Sequence, residues 1–157
     1  GKWLFASDAG YGFVARLADA ITDRKAGKTM LNVPENSFAL APAAVPGADA
    51  LVAIACVDGE GENGRLLVFP IGEVPEMPRG KGNKLINIPA AALRSGEETV
   101  VGVVCMGAAD EVLVQAGQRH LRLRQRDLDN YRGERGRRGA LLPRGFQKVD
   151  SLSLASR

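Results

Sequence analysis

An internal repeat of about 54 residues limits the folds open to this sequence more than any other feature. Residues 25–34 and 80–89 are similar strings, in which a basic stretch with glycine leads to a short apolar segment that ends in proline. Residues 135–143 are a third copy, and the closing prolines lie 55 and 54 residues apart. A fixed period of this length is typical of similar units that pack side by side. The sequence therefore predicts three units in one domain, residues 1–157, at approximately 1–48, 49–107 and 108–157.

Each unit has the same order of segments. An apolar run (residues 3–6, 51–57 or 112–114) leads through a turn to a second strand-like run, a basic glycine-rich loop and a short strand. Short strands separated by glycine and proline indicate all-β structure. Repeated units of about four strands are typical of blades around an axis, as in propellers. We therefore predict about three four-stranded blades. Because three are too few to close a usual propeller, we also expect blades before Gly1.

One short helical segment is expected between the second and third units. Residues 89–96 contain three consecutive alanines between a proline and a glycine. Proline commonly begins a helix, and glycine commonly follows its last turn. The pattern predicts a helical turn that ends at Gly96.

The charge is segregated along the chain, although the net charge is only +3. Residues 49–76 contain six acids and one base, whereas residues 119–148 contain ten bases, nine of them arginine, and three acids. Such segregation favours a surface that meets a polyanion. A solvated basic surface without a partner is the alternative.

The basic loop is repeated at the same place in all three units. The second copy, residues 80–84, does not satisfy the phosphate-loop motif of nucleotide-binding proteins. It does combine glycine backbone N–H groups with two ammonium groups, which suits the phosphates of an external nucleic acid. The predicted DNA-binding residues are Arg24, Lys25, Lys28, Arg79, Lys81, Lys84, Arg122, Arg124, Arg132, Arg135, Arg137, Arg138 and Arg144.

Other motifs in the sequence are better explained by local structure than by catalysis or cofactor binding. Residues 10–15 fit a dinucleotide-binding glycine pattern, but the repeat places them in a strand region, so a hairpin turn is the preferred interpretation. His120 lies in a period-two stretch that puts it on one strand face with Arg122 and Arg124, and no nucleophile accompanies it. Tyr11 and Tyr131 are expected to pack or stack. No catalytic residue is predicted.

The two cysteines, Cys56 and Cys105, lie in apolar strand-like runs. Buried free thiols in a reducing cytoplasm are the preferred interpretation, and a disulfide or a catalytic thiol is the alternative. One histidine and two separated cysteines do not make a conventional zinc site, so no metal is predicted. No apolar run approaches the roughly 18–20 residues of a membrane span, so no membrane insertion is expected.

Four strings resemble the C-terminal region of the A subunit of bacterial type II topoisomerases. They are residues 6–14, 80–89, 133–139 and 142–150, and the similarity extends over essentially the whole chain. The resemblance implies a β-pinwheel, a propeller-like array of four-stranded blades that grips duplex DNA along its outer rim. It also implies that the catalytic tyrosine and arginine belong to an N-terminal breakage–reunion domain. Neither Tyr11 nor Tyr131 inherits that role.

Within the family, the sequence is more similar to topoisomerase IV than to gyrase. Gyrase's signature Gln-Arg-Arg-Gly-Gly-Lys-Gly is not matched, and residues 133–139 are at best a degenerate version. The resemblance therefore implies decatenation and relaxation of DNA in chromosome segregation, in the bacterial cytoplasm. It implies no cofactor in this chain. The full enzyme needs Mg²⁺ and a partner ATPase, the B subunit of topoisomerase IV, which binds ATP.

Two alternatives to this interpretation stay open. One is a gyrase-type DNA-wrapping domain. The other, from a different class, is a propeller-like module that recognises a protein, with the basic loops incidental. DNA binding predicts a steep salt dependence with little sequence preference, whereas protein recognition predicts an exposed apolar patch and modest salt effects.

Overall fold

The computed structural model describes residues 1–16, 18, 31–59 and 61–155, where the strands form three antiparallel sheets. The strands are β1 (Lys2–Ala6), β2 (Tyr11–Arg16), β3 (Ala43–Ala44), β4 (Leu51–Asp58), β5 (Asn63–Pro70), β6 (Asn83–Lys84), β7 (Thr99–Met106), β8 (Val112–Ala116), β9 (Arg119–Leu123), β10 (Ala140–Leu141) and β11 (Ser151–Leu154). The short helical segments are α1 (Ala90–Ser95), α2 (Gln125–Leu128) and 3-10 turns at Ile71–Glu73 and Asp129–Tyr131. The prediction of an all-β fold is confirmed.

The three sheets correspond to three blades. The first has the strand order β3-β1-β2-β6, and the second has the order β10-β5-β4-β7. The third, β11-β8-β9, has three strands among the described residues. Each sheet is built on a hairpin of two long strands, and a third strand adds antiparallel to the first strand of that hairpin.

The second sheet lies between the other two, and its sequence shows why. Alternate residues of a strand point to opposite faces. In β4, Val52, Ile54 and Cys56 belong to one buried cluster together with residues of the first sheet. Ala53 and Ala55 belong to a second cluster together with residues of the third sheet. Because both faces are covered, β4 is apolar almost throughout, without the polar alternation of a half-exposed strand.

The glycine pattern at residues 10–15 forms a hairpin, as expected. Strands β1 and β2 pair antiparallel, and the last pair of the ladder is Ala6 with Gly12. Gly10 in the turn has a φ of 90° and donates its N–H to the Ser7 carbonyl at 3.1 Å. A left-handed φ of this kind favours glycine. The dinucleotide-binding alternative is wrong, since a strand follows the turn where that motif requires a helix.

Sheet pairing crosses from one sequence unit to the next. Strand β6, in the second unit, pairs with β2 of the first sheet, with Lys84 opposite Tyr11. Strand β10, in the third unit, pairs with β5 of the second sheet, with Ala140 opposite Leu66. The short strand within the basic loop of the second unit, β6, and the short strand after that of the third unit, β10, thus each complete the preceding sheet, so each of these two loops spans two blades. The unit boundaries themselves stay a prediction.

The predicted helical turn is present. Helix α1 follows Pro89, and Gly96 ends it with a φ of 79° while donating its N–H to the Leu93 carbonyl at 3.3 Å. The chain then turns into β7 through Glu98, whose backbone N–H bonds to the Ala92 carbonyl. This turn leaves the Glu98 side chain only 2% exposed. A buried carboxylate needs a partner, which the third unit supplies.

Candidate nucleic-acid interface

The basic loops of the second and third units lie against one another. We call residues 79–87, which include β6, the second basic loop and residues 132–139 the third basic loop. The Gly136 N–H donates to the Leu85 carbonyl at 2.8 Å, and the Asn87 N–H donates to the Arg137 carbonyl at 2.9 Å. These two bonds join segments about 50 residues apart in the sequence. The loops therefore form one hydrogen-bonded row across the blades.

The chain that follows the first basic loop joins the same row. Leu31 forms a parallel bridge with Gly80, and the Asn32 N–H donates to the Gly80 carbonyl at 2.8 Å. The predicted DNA-binding residues of the first loop lie outside the described residues. They are Arg24, Lys25 and Lys28.

The cations of the second basic loop are exposed. The Lys81 ammonium lies 4.1 Å from the centre of the Tyr11 ring, close enough for a cation–π interaction. The Lys84 ammonium donates to the Asn87 side-chain oxygen at 3.1 Å. Arg79 is also exposed, at the start of the loop. Tyr11 and Asn87 thus hold two flexible lysine side chains near the row without neutralising their charge.

The arginines of the third basic loop divide into two groups. Arg135 and Arg138 are partly buried, and both donate to carbonyls of the second unit: Arg135 to Lys84 at 2.7 Å and Arg138 to Asn87 at 2.9 Å. Arg137 is exposed, and its guanidinium lies 3.3 Å from the Glu134 carboxylate. An exposed ion pair of this kind contributes little and leaves the cation accessible to another anion.

The remaining predicted arginines are exposed and belong to the third unit. Arg122 lies 3.6 Å from Glu111, and Arg132 lies 3.0 Å from Asp129. Arg124 precedes α2, where its backbone N–H donates to Asp127 at 2.9 Å. Arg144 lies on the loop after β10. The structure therefore presents basic side chains on the third blade as well as along the row.

Arg138 has the densest set of partners. Its guanidinium forms ion pairs with Glu98 and, at 3.3 Å, with Asp58. The Glu98 carboxylate also accepts a hydrogen bond from the Cys56 thiol at 3.5 Å. Sequence reasoning did not identify Glu98 or Asp58, because they lie 40 and 80 residues from Arg138. Neither an acid just before an apolar strand, as Glu98 is, nor one at the end of a strand, as Asp58 is, carries a signal of such pairing.

Arg65 also forms a hydrogen bond with the third basic loop. Its guanidinium donates to the Gly139 carbonyl at 3.3 Å, from the strand position that Tyr11 occupies one repeat earlier. At both positions the side chain reaches the basic loop of the following unit. The 54-residue period could have indicated this equivalence, although the two side-chain types are unrelated.

The two cysteines and Tyr131 are buried in the core. Both cysteines are free and buried, and burial raises the pKa of each to about 12, with Glu98 adding to the effect at Cys56. Tyr131 is buried in the second cluster, where burial and then Asp127 raise its pKa.

In the part of the chain that the structure describes, no group of three potential metal ligands occurs. None of the helices described there is long and apolar enough to span a membrane.

The fold and the row of loops define a propeller-like domain in which each loop strand completes the neighbouring blade. A family model described as DNA gyrase C-terminal domain, beta-propeller, matches residues 1–58 and 61–105. The chain belongs to this family.

The curated relatives place the chain near one branch of the family. It is 44% identical over 96% of its length to the A subunit of DNA topoisomerase 4 from Pseudomonas aeruginosa. It is 38% identical over 99% of its length to the A subunit of DNA topoisomerase 4 from Escherichia coli K12. The chain spans only 19% and 20% of those two proteins. The predicted likeness to the C-terminal region of a topoisomerase IV A subunit is confirmed.

Solved structures agree with this assignment. The E. coli ParC C-terminal domain superposes with a TM-score of 0.84 at 36% identity, covering 99% of this chain and 61% of that one. The DNA gyrase A C-terminal domain superposes with a TM-score of 0.71 at 16% identity, covering 99% of this chain and 49% of that one. The second match supports the fold alone. The predicted pinwheel is confirmed.

Proposed function

We propose that this chain binds duplex DNA without sequence specificity and positions it for a type II topoisomerase. The observation that carries the proposal is the hydrogen-bonded row of basic loops. Carbonyl and amide groups of successive loops bond to each other, so Lys81, Lys84 and Arg137 are held on one continuous structure. Cations at fixed positions along an extended surface suit a DNA backbone, whose charges are evenly spaced.

The contacts expected from this surface are with phosphates. Lysine and arginine on short loops neutralise backbone charge, whereas sequence is read by elements that enter a groove and reach base edges. The row is made of loops and two-residue strands, so it supports backbone contact. DNA would therefore bind with an affinity that depends on salt more than on sequence.

The parent protein, in this proposal, is the A subunit of topoisomerase IV. Its N-terminal breakage–reunion domain would cleave the DNA with Mg²⁺, and the B subunit would supply ATP hydrolysis. The present domain would deliver a DNA segment for decatenation and relaxation, in chromosome segregation in the bacterial cytoplasm. It would hold no cofactor and have no catalytic residue. With supercoiled plasmid and Mg²⁺, the isolated domain is expected to leave DNA topology unchanged, and a protein-linked nick at Tyr11 or Tyr131 would contradict this.

The decisive experiment is the salt dependence of binding to a labelled duplex. The slope of log K against log salt should be clearly negative, and two unrelated duplex sequences should give the same value. Arg137→Gln should reduce the magnitude of the slope by about 0.9, the value for one lost phosphate contact. Arg94→Gln is the matched control, because Arg94 is an exposed arginine on α1, outside the row.

A slope near zero, or equal effects of the two substitutions, would contradict the proposal and support protein recognition. A chiral wrapping domain of the gyrase type is the closer alternative. It would change the linking number that is trapped when a nicked plasmid is bound by the domain and then closed by a ligase. Because these 157 residues contain no gyrase signature, we expect little such change from this domain.

A further inference from the structure

A half-buried charge network lies under the third basic loop. Glu98 is 2% exposed, and the side chain of Arg138 is 31% exposed. The two Arg138 terminal nitrogens donate to Glu98, to Asp58 at 3.3 Å and to the Asn87 carbonyl at 2.9 Å. These three acceptors belong to three separate segments of the second unit. Arg138 therefore joins the third loop to the body of the second blade.

The other polar side chains that contact the network also belong to the second unit. Arg65, on β5, donates to Gly139 at 3.3 Å, directly after Arg138. The Cys56 thiol bonds to Glu98 at 3.5 Å from β4. Asn87 links the network to the surface, since its side chain accepts from Lys84 and its N–H donates to the Arg137 carbonyl. A change at Glu98 thus reaches Lys84 through Arg138 and Asn87, and it reaches Arg137 through Arg138, its neighbour in the chain.

We infer that Arg138 and Glu98 are positioning residues: their ion pair holds the third basic loop so that Arg137 and Lys84 meet the DNA backbone, and Arg138 itself contacts no phosphate. This inference rests on the proposed DNA binding. Its basis is that the terminal nitrogens of Arg138 are directed to protein acceptors, whereas its neighbour Arg137 is exposed. Among the ion pairs of the described residues, the five other arginines in residues 119–132 have no such buried partner.

The two possible roles of Arg138 predict opposite effects of Glu98→Gln on the affinity for DNA. If Arg138 binds a phosphate, Glu98 competes for it, and Glu98→Gln should release the arginine and strengthen DNA binding. If the pair positions the loop, the same substitution weakens the anchor, and binding should fall although a negative charge has been removed. Glu97→Gln removes the same charge from the adjacent exposed residue and is the matched control.

The first measurement is duplex affinity of the whole chain at a temperature where each variant is folded by circular dichroism. We expect Glu98→Gln to lower the affinity at least about threefold, within the range for residues of one network. Glu97→Gln should leave it unchanged or slightly higher. Arg138→Lys keeps the charge and is a second route: it should lower the affinity and make the salt slope shallower, because Arg137 and Lys84 are no longer held against the phosphates, whereas a direct phosphate contact by residue 138 would be kept by lysine. A Glu98→Gln variant that binds as well as Glu97→Gln, or better, overturns the inference.

The second measurement separates positioning from a general loss of stability. Arg137→Gln is made in the wild-type and in the Glu98→Gln background. If Glu98 positions Arg137, the loss caused by Arg137→Gln should be at least about threefold smaller in the second background. Equal losses overturn the inference, because a merely destabilised but folded protein would keep the full contribution of Arg137.

The experiments distinguish failure of the proposed DNA binding from failure of the inference about Arg138 and Glu98. If the wild-type chain binds no duplex, DNA binding is refuted and with it the functional part of the inference. The anchoring part is then decided by hydrogen exchange. The amides of Gly136 and Asn87 should exchange at least tenfold faster, to order of magnitude, in Glu98→Gln than in Glu97→Gln, since local opening limits exchange. Equal rates would overturn the anchoring part as well.

Discussion

Gly82 lies where the second basic loop crosses the first sheet, and Gly82→Ala tests whether that crossing determines stability and binding. A Cβ atom at Gly82 would lie 2.0 Å from the Gly12 oxygen and 2.2 Å from the Gly12 carbonyl carbon. Both are backbone atoms of β2, so they cannot rotate away as a side chain would. The φ of Gly82 is also +83°, a conformation that L-residues rarely adopt.

The expected cost has two parts. The left-handed backbone costs an alanine about 1–2 kcal/mol. Relief of the overlap requires β6 to move from β2, which weakens hydrogen bonds worth about 0.5–1.5 kcal/mol each. The free energy of unfolding should therefore fall by roughly 2–4 kcal/mol. For a domain of this size, about 2–4 °C of melting temperature are lost per kcal/mol, so the transition should drop by roughly 4–16 °C.

Gly96→Ala is the matched control. Gly96 has nearly the same conformation, with a φ of +79°, but no atom lies within 4 Å of its would-be Cβ. Only the conformational cost applies there, so thermal unfolding followed by circular dichroism should show a clearly smaller decrease. Duplex affinity should fall for Gly82→Ala, because the second basic loop shifts, and stay constant for Gly96→Ala. Equal melting temperatures for the two variants would refute the reasoning.

Two further predictions concern the buried thiols and the ring beneath Lys81. Burial holds the pKa of Cys56 and Cys105 near 12, from an ordinary 9.0, so the thiolate fraction at pH 8 is lowered about a thousandfold. Alkylation of the native protein should be correspondingly slow and should accelerate on denaturation, whereas fast native labelling of both thiols would show this to be wrong. Tyr11→Leu removes the ring beneath Lys81 and should lower duplex affinity about two- to fivefold, as an exposed cation–π contact implies. Tyr11→Phe keeps the ring and should bind as the wild type does, so equal losses in both variants would exclude the cation–π contact as the cause.

Much of the fold could be predicted from the sequence because it is encoded locally. The apolar runs, the turn glycines and the proline stops recur with one period, and each feature is sufficient to identify a strand or a turn. The helical turn that ends at Gly96 is an example, since its proline, its alanines and its glycine are adjacent. The clustering of arginine in residues 119–148 is likewise visible without a structure. The DNA-binding residues stay predictions, although the structure shows most of the described ones exposed.

The sequence by itself thus determined the repeat, the all-β class, the family and the basic loops. Only the tertiary structure decided which sheet each loop strand completes, and which arginines turn inward. A period identifies equivalent residues, but β6 could satisfy its backbone hydrogen bonds within its own unit or across to β2, and local sequence does not distinguish these pairings. Arg137 and Arg138 are likewise adjacent and chemically identical. One is exposed and the other is half-buried because Glu98, 40 residues earlier, is almost completely buried and its charge is compensated by the Arg138 guanidinium.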